Sequence, residues 1–186
     1  LGVRYKGQQT GNFGEFSLNG PMEERHIKIL EEFIDRFGLP QNLHGKKILD
    51  IGVWTGGTSL LLAALGAEVF ALEEVKKYSN MVNYLATAFG LSNISCRPLS
   101  VYDLDEQDTY DYIIYSGVIY HVTDPVLSLR ILFNSLKDGG RIFVETHSCV
   151  IDPPMAIIQG PSQTQTGSKE DLNRTGWNYY IPSKKG

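Results

Sequence analysis

The sequence has few cysteines, no strong charge excess and no long hydrophobic segment. Its 186 residues include only two cysteines, Cys96 and Cys149, and their separation matches no metal-binding spacing. We therefore predict no metal site and two reduced thiols in a cytoplasmic protein. The formal net charge of −4 favours neither nucleic acid nor an anionic membrane as a partner. No apolar run reaches the length of a membrane span, and no signal-peptide pattern is present.

Residues 46–74 contain the most informative pattern of the chain. Residues 47–51 (KILDI) form a short apolar run that stops at Gly52, which is typical of a buried parallel strand followed by a tight turn. An apolar helix follows, and residues 69–72 form a second strand with Glu73 at its carboxyl end. The pattern predicts a strand–turn–helix–strand unit in which ligands bind over the carboxyl ends of the strands.

Two acids flank the turn of this unit. Asp50 lies at the end of the first strand, and Glu73 lies at the distance where an acid holds ribose hydroxyls in nucleotide-binding folds. The turn, residues 52–57 (GVWTGG), has Trp54 where a dinucleotide motif has its middle glycine. Trp54 would crowd a diphosphate and Asp50 would repel it, whereas an ammonium group would be attracted. S-adenosylmethionine (SAM) has an ammonium, a sulfonium and no phosphate, so the turn favours SAM. A tight turn without a ligand is the alternative.

Five predicted strands alternate with helices along the chain, which indicates an α/β, doubly wound, Rossmann-like parallel sheet. The predicted strands are residues 47–51, 69–72, 93–99, 111–115 and 141–146, and the predicted helices are residues 21–37, 59–65, 75–89 and 125–137. Apolar spacing predicts inward-facing residues at Tyr78, Met81, Val82, Leu85 and Phe89 in the third helix, and at Val126, Leu129, Phe133 and Leu136 in the fourth.

Four segments are predicted. Residues 1–20 form a polar N-terminal arm that covers a ligand or packs loosely, and residues 21–147 form the Rossmann-like domain. Residues 148–176 lack periodicity and are interpreted as a lid or flexible loop. Residues 177–186 begin a new element that stops at the end of the sequence. Because the sequence also starts with leucine, we expect the natural protein to be longer.

The assembled motifs resemble class I SAM-dependent methyltransferases, and more narrowly the group of the tRNA wobble-uridine carboxymethyltransferase and tRNA methoxyuridine methyltransferase-like proteins. The resemblance covers roughly residues 40–183, through the segments GKKILDIGVWTGG, SGVIYHVTDPVLSLRILFNSLKDGGRIFVETH and WNYYIPS. It implies further C-terminal strands, whose absence here would leave the fifth strand at an exposed edge. It also implies SAM contacts at Asp50, Gly52, Trp54, Gly56, Glu73, Ser100, Val101 and Ser116.

The resemblance gives two of these residues a specific role. It places the Ser100 side chain at the exocyclic amine of adenine and the Val101 backbone at a ring nitrogen, although the family usually has an aspartate at position 100. At Gly57 the carboxymethyltransferase has a tyrosine that holds the extra carboxylate of carboxy-SAM. This departure favours ordinary SAM and methyl transfer.

The sequence offers three candidate catalytic residues near the carboxyl ends of the predicted strands: His121, His147 and Glu145. The ordinary pKa of histidine suits proton uptake near neutral pH, and Glu145 could orient a base or bind a polar substrate. Each histidine also has a purely structural interpretation.

The acceptor site is predicted at Tyr120, Trp177 and Asn178. We predict O-methylation of a polar small molecule, such as a sugar or natural-product hydroxyl, with S-adenosylhomocysteine (SAH) as the product. A tRNA wobble-uridine modifying enzyme is the first alternative, and a non-catalytic SAM-binding module is the second. The oligomeric state is left open.

Overall fold

A five-stranded parallel sheet forms the centre of the computed structural model, which describes residues 4–5, 8–9, 23–150, 152–158 and 180–185. The helices are α1 (Glu23–Asp35), α2 (Gly57–Ala64), α3 (Lys76–Ala88) and α4 (Pro125–Ser135), with 3-10 turns at Val101–Asp103 and Ile119–His121. The strands are β1 (Arg4–Tyr5), β2 (Gln8–Gln9), β3 (Lys47–Ile51), β4 (Glu68–Leu72), β5 (Ile94–Arg97), β6 (Tyr110–Ser116), β7 (Leu136–Glu145), β8 (Ala156–Ile158) and β9 (Tyr180–Pro182).

The central sheet has the strand order β5-β4-β3-β6-β7, with every neighbouring pair parallel. The chain order therefore reverses beside β3, which places the ligand crevice over the carboxyl ends of β3, β4 and β6. The predicted doubly wound α/β sheet is confirmed.

Both faces of the sheet are covered, as the apolar runs of its strands require. Consecutive residues of β3 show this: Ile48 packs on one face with Leu30 and Leu62 from the helices α1 and α2, whereas Leu49 packs on the other face with Leu132 of α4. All five side chains are fully buried. Side chains alternate between the faces of a strand, so β3 has to be apolar throughout.

The fifth strand of the sheet differs from the prediction. β7 starts at Leu136, directly after α4, instead of at Arg141. Its register jumps from the pair Tyr110–Leu136 to the pair Tyr112–Arg141, so the Asp138–Gly140 segment is an irregularity inside the strand and does not end the helix. The helix ends at Ser135, where a strand pairs immediately with β6. Within the described residues β7 lies at the edge of the five-stranded sheet, as expected.

The predicted inward face of α4 is wrong in two of its four positions. Val126 and Phe133 are 67% and 73% exposed, while the buried positions of the helix are Ser128, Leu132 and Ser135. The two buried serines satisfy their hydroxyls by donating to backbone carbonyls within the helix. Small polar residues can thus face the core, and a search for apolar spacing does not detect them.

The predicted inward face of α3 needs a similar correction. Met81 is 47% exposed, and the buried residues of this helix are Ser79, Val82 and Ala86. Ser79 is fully buried because its hydroxyl donates to the backbone oxygen of Cys96 at 3.1 Å.

The C-terminal part of the described chain forms a small second sheet. β8 and β9 pair antiparallel, and the backbones of Cys149 and Ser183 form an isolated β-bridge. Part of the predicted lid is therefore a strand, and β9 lies against the Ile119–His121 turn. The rest of the predicted lid lies outside the described residues. Of the predicted N-terminal arm, the structure describes only the short β1–β2 pair. No helix in the described part of the chain has the length and apolar character of a membrane span.

Candidate active site

Asp50 is a buried acid in the central strand β3. It is 3% exposed, and the hydroxyl of Ser59 in α2 donates to its Oδ2 at 2.6 Å. Burial raises the pKa of Asp50 from 3.8 to about 7, against the opposing effects of the Ser59 and Ile51 hydrogen bonds. Its charge near neutral pH therefore responds to its surroundings, and a neighbouring cation would favour the ionised form.

Glu73 follows β4 and fastens the glycine-rich turn. Its Oε2 accepts a hydrogen bond from the backbone N–H of Trp54 at 2.7 Å, and its Oε1 accepts one from Val75 at 2.9 Å. Glu73 is 8% exposed. Glu73 and Asp50 both lie close enough to Cys96 to contribute to the rise of its pKa, which burial dominates. The two acids thus lie in the same region at the carboxyl ends of neighbouring strands.

The turn between β3 and α2 has an unusual backbone. Trp54 has φ 45°, in the left-handed region that non-glycine residues rarely adopt, and its side chain is 43% exposed. Gly52 and Gly56 also have positive φ, and a Cβ at these positions would lie 2.5 Å from Val118 and 2.6 Å from Val82. The protein's own side chains therefore require both glycines, beyond any ligand. Strain of this kind persists where surrounding structure fixes it and concentrates at functional sites.

Ser100 and Val101 begin the 3-10 turn that follows β5. Ser100 is 6% exposed and caps this turn, accepting from the Tyr102 N–H at 3.4 Å. Its own proton goes to Oε1 of Glu74 at 2.6 Å. Glu74 therefore lies beside the predicted adenine contacts Ser100 and Val101, and we did not single out this acid from the sequence.

Ser116 and Glu145 are paired across β6 and β7. They are partners in the strand register, and the Ser116 hydroxyl donates to Oε2 of Glu145 at 3.0 Å. Arg25 of α1 reaches the same carboxylate, with 3.8 Å between its guanidinium and Oε1. Arg25 was missed in the sequence because nothing in its local pattern indicates that α1 meets this edge.

Tyr120 packs against both candidate bases. Its ring centroid is 4.2 Å from that of His121 and 4.8 Å from that of His147. Burial, and secondly the charge of Glu145, raise the pKa of Tyr120, so its phenol is protonated at neutral pH. Burial and the neighbouring His147 lower the pKa of His121 to about 4. The structure thus brings together His121, His147, Tyr120 and Glu145, whereas Trp177 and Asn178 lie outside the described residues.

The residues at this edge fit a cationic nucleoside. Asp50, Glu73 and Glu74 are acids that follow or end two neighbouring strands, and the turn of residues 52–57 contains neither lysine nor arginine. A phosphate group would meet carboxylates here without a cation from the turn, while an ammonium and a sulfonium would be stabilised. This donor set matches SAM.

Comparison with known proteins identifies the family. The family model described as "Methyltransferase domain" matches residues 22–181. The chain belongs to the class I SAM-dependent methyltransferases. It is 29% identical over 184 residues to a tRNA U34 carboxymethyltransferase of Desulfotalea psychrophila, covering 96% of this chain and 53% of that protein. It is 28% identical over 140 residues to a ubiquinone biosynthesis O-methyltransferase of Sinorhizobium fredii, covering 74% and 56%.

A solved structure supports the fold of this methyltransferase. The crystal structure of coclaurine N-methyltransferase bound to N-methylheliamine and SAH matches with a TM-score of 0.62 and 18% identity, over 94% of this chain and 49% of that one. The expected family, fold and SAM cofactor are confirmed. The methyltransferase chain described here spans about half the length of the tRNA-modifying relatives that it matches. The roles of its individual site residues stay predictions.

Proposed function

We propose that this protein transfers the methyl group of SAM to a hydroxyl of a polar small molecule, such as a sugar or a natural product. The observation that carries the proposal is the cluster of His121, Tyr120 and His147 beside Glu145, at the carboxyl rim of the sheet. A hydroxyl acceptor has to lose its proton during transfer, and imidazoles are suited to take it.

SAM supplies an activated methyl group, so the protein mainly has to position the acceptor and remove a proton. In this proposal Asp50 faces the ammonium group, Glu73 holds the ribose, and Ser100 and Val101 border the adenine. The turn residues Gly52, Trp54 and Gly56, together with Ser116, form the rest of the cofactor site. Tyr120 and Glu145 hold the polar groups of the acceptor near the methyl position.

The two histidines have different tasks in this proposal. With a pKa of about 4, His121 is neutral across the physiological range and accepts a hydrogen bond without holding the proton. His147 is exposed, packs against Tyr120, and can pass a proton to water. We therefore assign proton removal to His147 and orientation of the hydroxyl to His121. Removing a positioned base costs about 10²–10⁴-fold in rate.

The relatives named as ubiquinone biosynthesis O-methyltransferases support an oxygen acceptor, because their names state O-methylation. The acidic net charge of −4 also suits a small molecule better than a polyanionic nucleic acid.

The test measures SAH formation from SAM with a panel of sugars and phenolic and aliphatic alcohols. With the best acceptor, His147→Gln should lower kcat by about 10²–10⁴-fold, and the loss should shrink as pH rises because hydroxide replaces the base. His121→Gln should mainly raise KM. His44→Gln, in the segment before β3 at the opposite end of the sheet, serves as the matched control. Full activity of both His121→Gln and His147→Gln would exclude the assigned roles.

A tRNA wobble-uridine modification is the second candidate, because several relatives of this chain are named tRNA U34 carboxymethyltransferase. Gly57 argues against carboxymethyl transfer, because it replaces the tyrosine with which the carboxymethyltransferase holds the extra carboxylate of carboxy-SAM. A Cβ at this position would also lie 2.7 Å from the ring of His26. A larger side chain there has no room. Incubation of unmodified tRNA with methyl-labelled SAM tests this candidate, and labelled uridine at the wobble position would put it first.

A further inference from the structure

The hydrogen bond between Ser100 and Glu74 changes which atoms the adenine side of the cofactor site presents. Glu74 follows β4 and Ser100 follows β5, and these strands are parallel neighbours with Leu72 opposite Arg97. Their following residues therefore emerge at the same edge of the sheet. Ser100 Oγ and Glu74 Oε1 are 2.6 Å apart, in a site where Ser100 is 6% exposed.

The Ser100 hydroxyl has little hydrogen-bonding capacity left for a ligand. It accepts from the backbone N–H of Tyr102 and donates its single proton to Glu74. The Glu74 carboxylate, by contrast, accepts only, and each of its oxygens has two acceptor positions. In the described part of the chain no lysine or arginine forms an ion pair with it. What this edge presents is a half-buried carboxylate held by a serine.

Such a carboxylate distinguishes purine bases by the group at position 6. Adenine has an amino group there, which donates hydrogen bonds, whereas guanine and hypoxanthine have a carbonyl oxygen, which accepts them. A carboxylate pairs with the amine and faces the carbonyl oxygen with two acceptors and no proton between them. We propose that Glu74, oriented by Ser100, binds the exocyclic amine of the adenine of SAM and makes the site specific for adenine. The proposal rests on SAM binding and not on the identity of the methyl acceptor.

The position of Glu74 relative to Glu73 supports this assignment. The two residues are consecutive, and Glu73 is the proposed ribose acid. In this proposal the base lies over the ends of β4 and β5, where Ser100 holds the Glu74 carboxylate. The carboxylate that the family usually carries after the third strand of the Rossmann unit is here supplied from the end of the second strand, β4.

Calorimetric titration with two ligands tests the proposal. SAH carries adenine, and S-inosylhomocysteine carries hypoxanthine but is otherwise identical, and neither has the sulfonium charge. The wild-type protein should prefer SAH by about 10–100-fold, the range for a hydrogen bond to a charged group. In Glu74→Gln the amide can donate to the carbonyl oxygen, so the preference should fall to about threefold or less. Ser100→Ala should give an intermediate preference because Glu74 loses its orientation.

Glu68→Gln is the matched control, since Glu68 is an exposed acid at the opposite end of β4. It should keep the wild-type preference. Circular dichroism melts of each variant without ligand establish that it is folded. An unchanged preference in Glu74→Gln would overturn the proposal, as would equal wild-type affinity for the two ligands. Failure of the wild-type protein to bind SAH would overturn it too, and because no acceptor is present this result is distinct from a failure to methylate alcohols.

Discussion

Glu73 and Trp54 are joined by a hydrogen bond of 2.7 Å between the Glu73 carboxylate and the Trp54 backbone N–H. This contact links the end of β4 to the turn after β3 and fixes a tryptophan at φ 45°. Since the second carboxylate oxygen binds the N–H of Val75, Glu73 also shapes the entry to α3. The proposed ribose acid is therefore a structural part of the turn before any cofactor binds.

Replacing Glu73 with glutamine should lower both stability and cofactor affinity. The glutamine amide has one acceptor oxygen, so one of the two backbone N–H groups would face an NH₂ group. We expect the free energy of unfolding to fall by about 1–3 kcal/mol, measured by urea denaturation, and SAH binding to weaken in calorimetry. Glu68→Gln is the control. A Glu73→Gln variant as stable as the wild type would show that these two hydrogen bonds contribute little.

Asp50 should destabilise the protein at neutral pH while helping it to bind SAM. Its pKa is 3.8 unfolded and about 7 folded, so between these values the native state binds more protons than the unfolded state. The free energy of unfolding therefore falls as pH rises through this range and levels off above it. In Asp50→Asn this loss disappears, and the variant should be more stable than the wild type by about 1–4 kcal/mol near pH 8.

The stabilities of the wild type and of Asp50→Asn should converge near pH 4, and urea denaturation at several pH values measures this. SAM affinity should change in the opposite direction, because a neutral amide attracts the ammonium less than a carboxylate does. Calorimetry should show SAM binding tighter as pH rises through 7 in the wild type and independent of pH in Asp50→Asn. A variant that is less stable than the wild type at every pH would contradict this account.

Gly57 and His26 should be energetically coupled. Gly57 is the first residue of α2, where helix propensity predicts that alanine stabilises by about 0.5–1 kcal/mol. A Cβ there, however, would lie 2.7 Å from the His26 ring. That ring is held in place by a hydrogen bond of 2.9 Å between its Nδ1 and Thr58 Oγ1. We expect Gly57→Ala to destabilise by about 1–3 kcal/mol.

In a His26→Ala background the same substitution should stabilise, because the ring is gone. A double-mutant cycle by chemical denaturation measures the coupling. Additive effects of the two substitutions would refute the close packing of α1 on the start of α2.

Two neighbouring residues of α4 should respond very differently to truncation. Leu132 is fully buried and Phe133 is 73% exposed. Leu132→Ala should cost about 2–5 kcal/mol, whereas Phe133→Ala should change the free energy of unfolding by no more than about 0.5 kcal/mol. Thermal or urea denaturation of the two variants tests the corrected orientation of the helix. A larger loss of stability for Phe133→Ala than for Leu132→Ala would support the inward face predicted from apolar spacing.

Prediction from the sequence succeeded where the signal was local. Short apolar runs closed by glycine located β3 and β4, and the acids after them were visible in the sequence as Asp50 and Glu73. It failed where a polar residue was satisfied locally and buried: Ser128 and Ser135 face the core because backbone carbonyls within α4 accept their hydroxyl protons. The two glycines of residues 138–140 misled in another way, because a strand irregularity and a helix end use the same residue types.

The amino-acid sequence by itself determined the order of strands and helices, the acid-flanked glycine turn and the family of this methyltransferase, because these depend on residues close together in the chain. Only the tertiary structure decided that Arg25 meets Glu145, that His26 fills the space above Gly57 and that Ser100 holds Glu74. These partners are 26 or more residues apart in sequence. They meet because parallel strands bring their carboxyl ends to one edge, and because α1 packs on a face of the sheet with its first turn at that edge. That arrangement follows from burying the whole core at once.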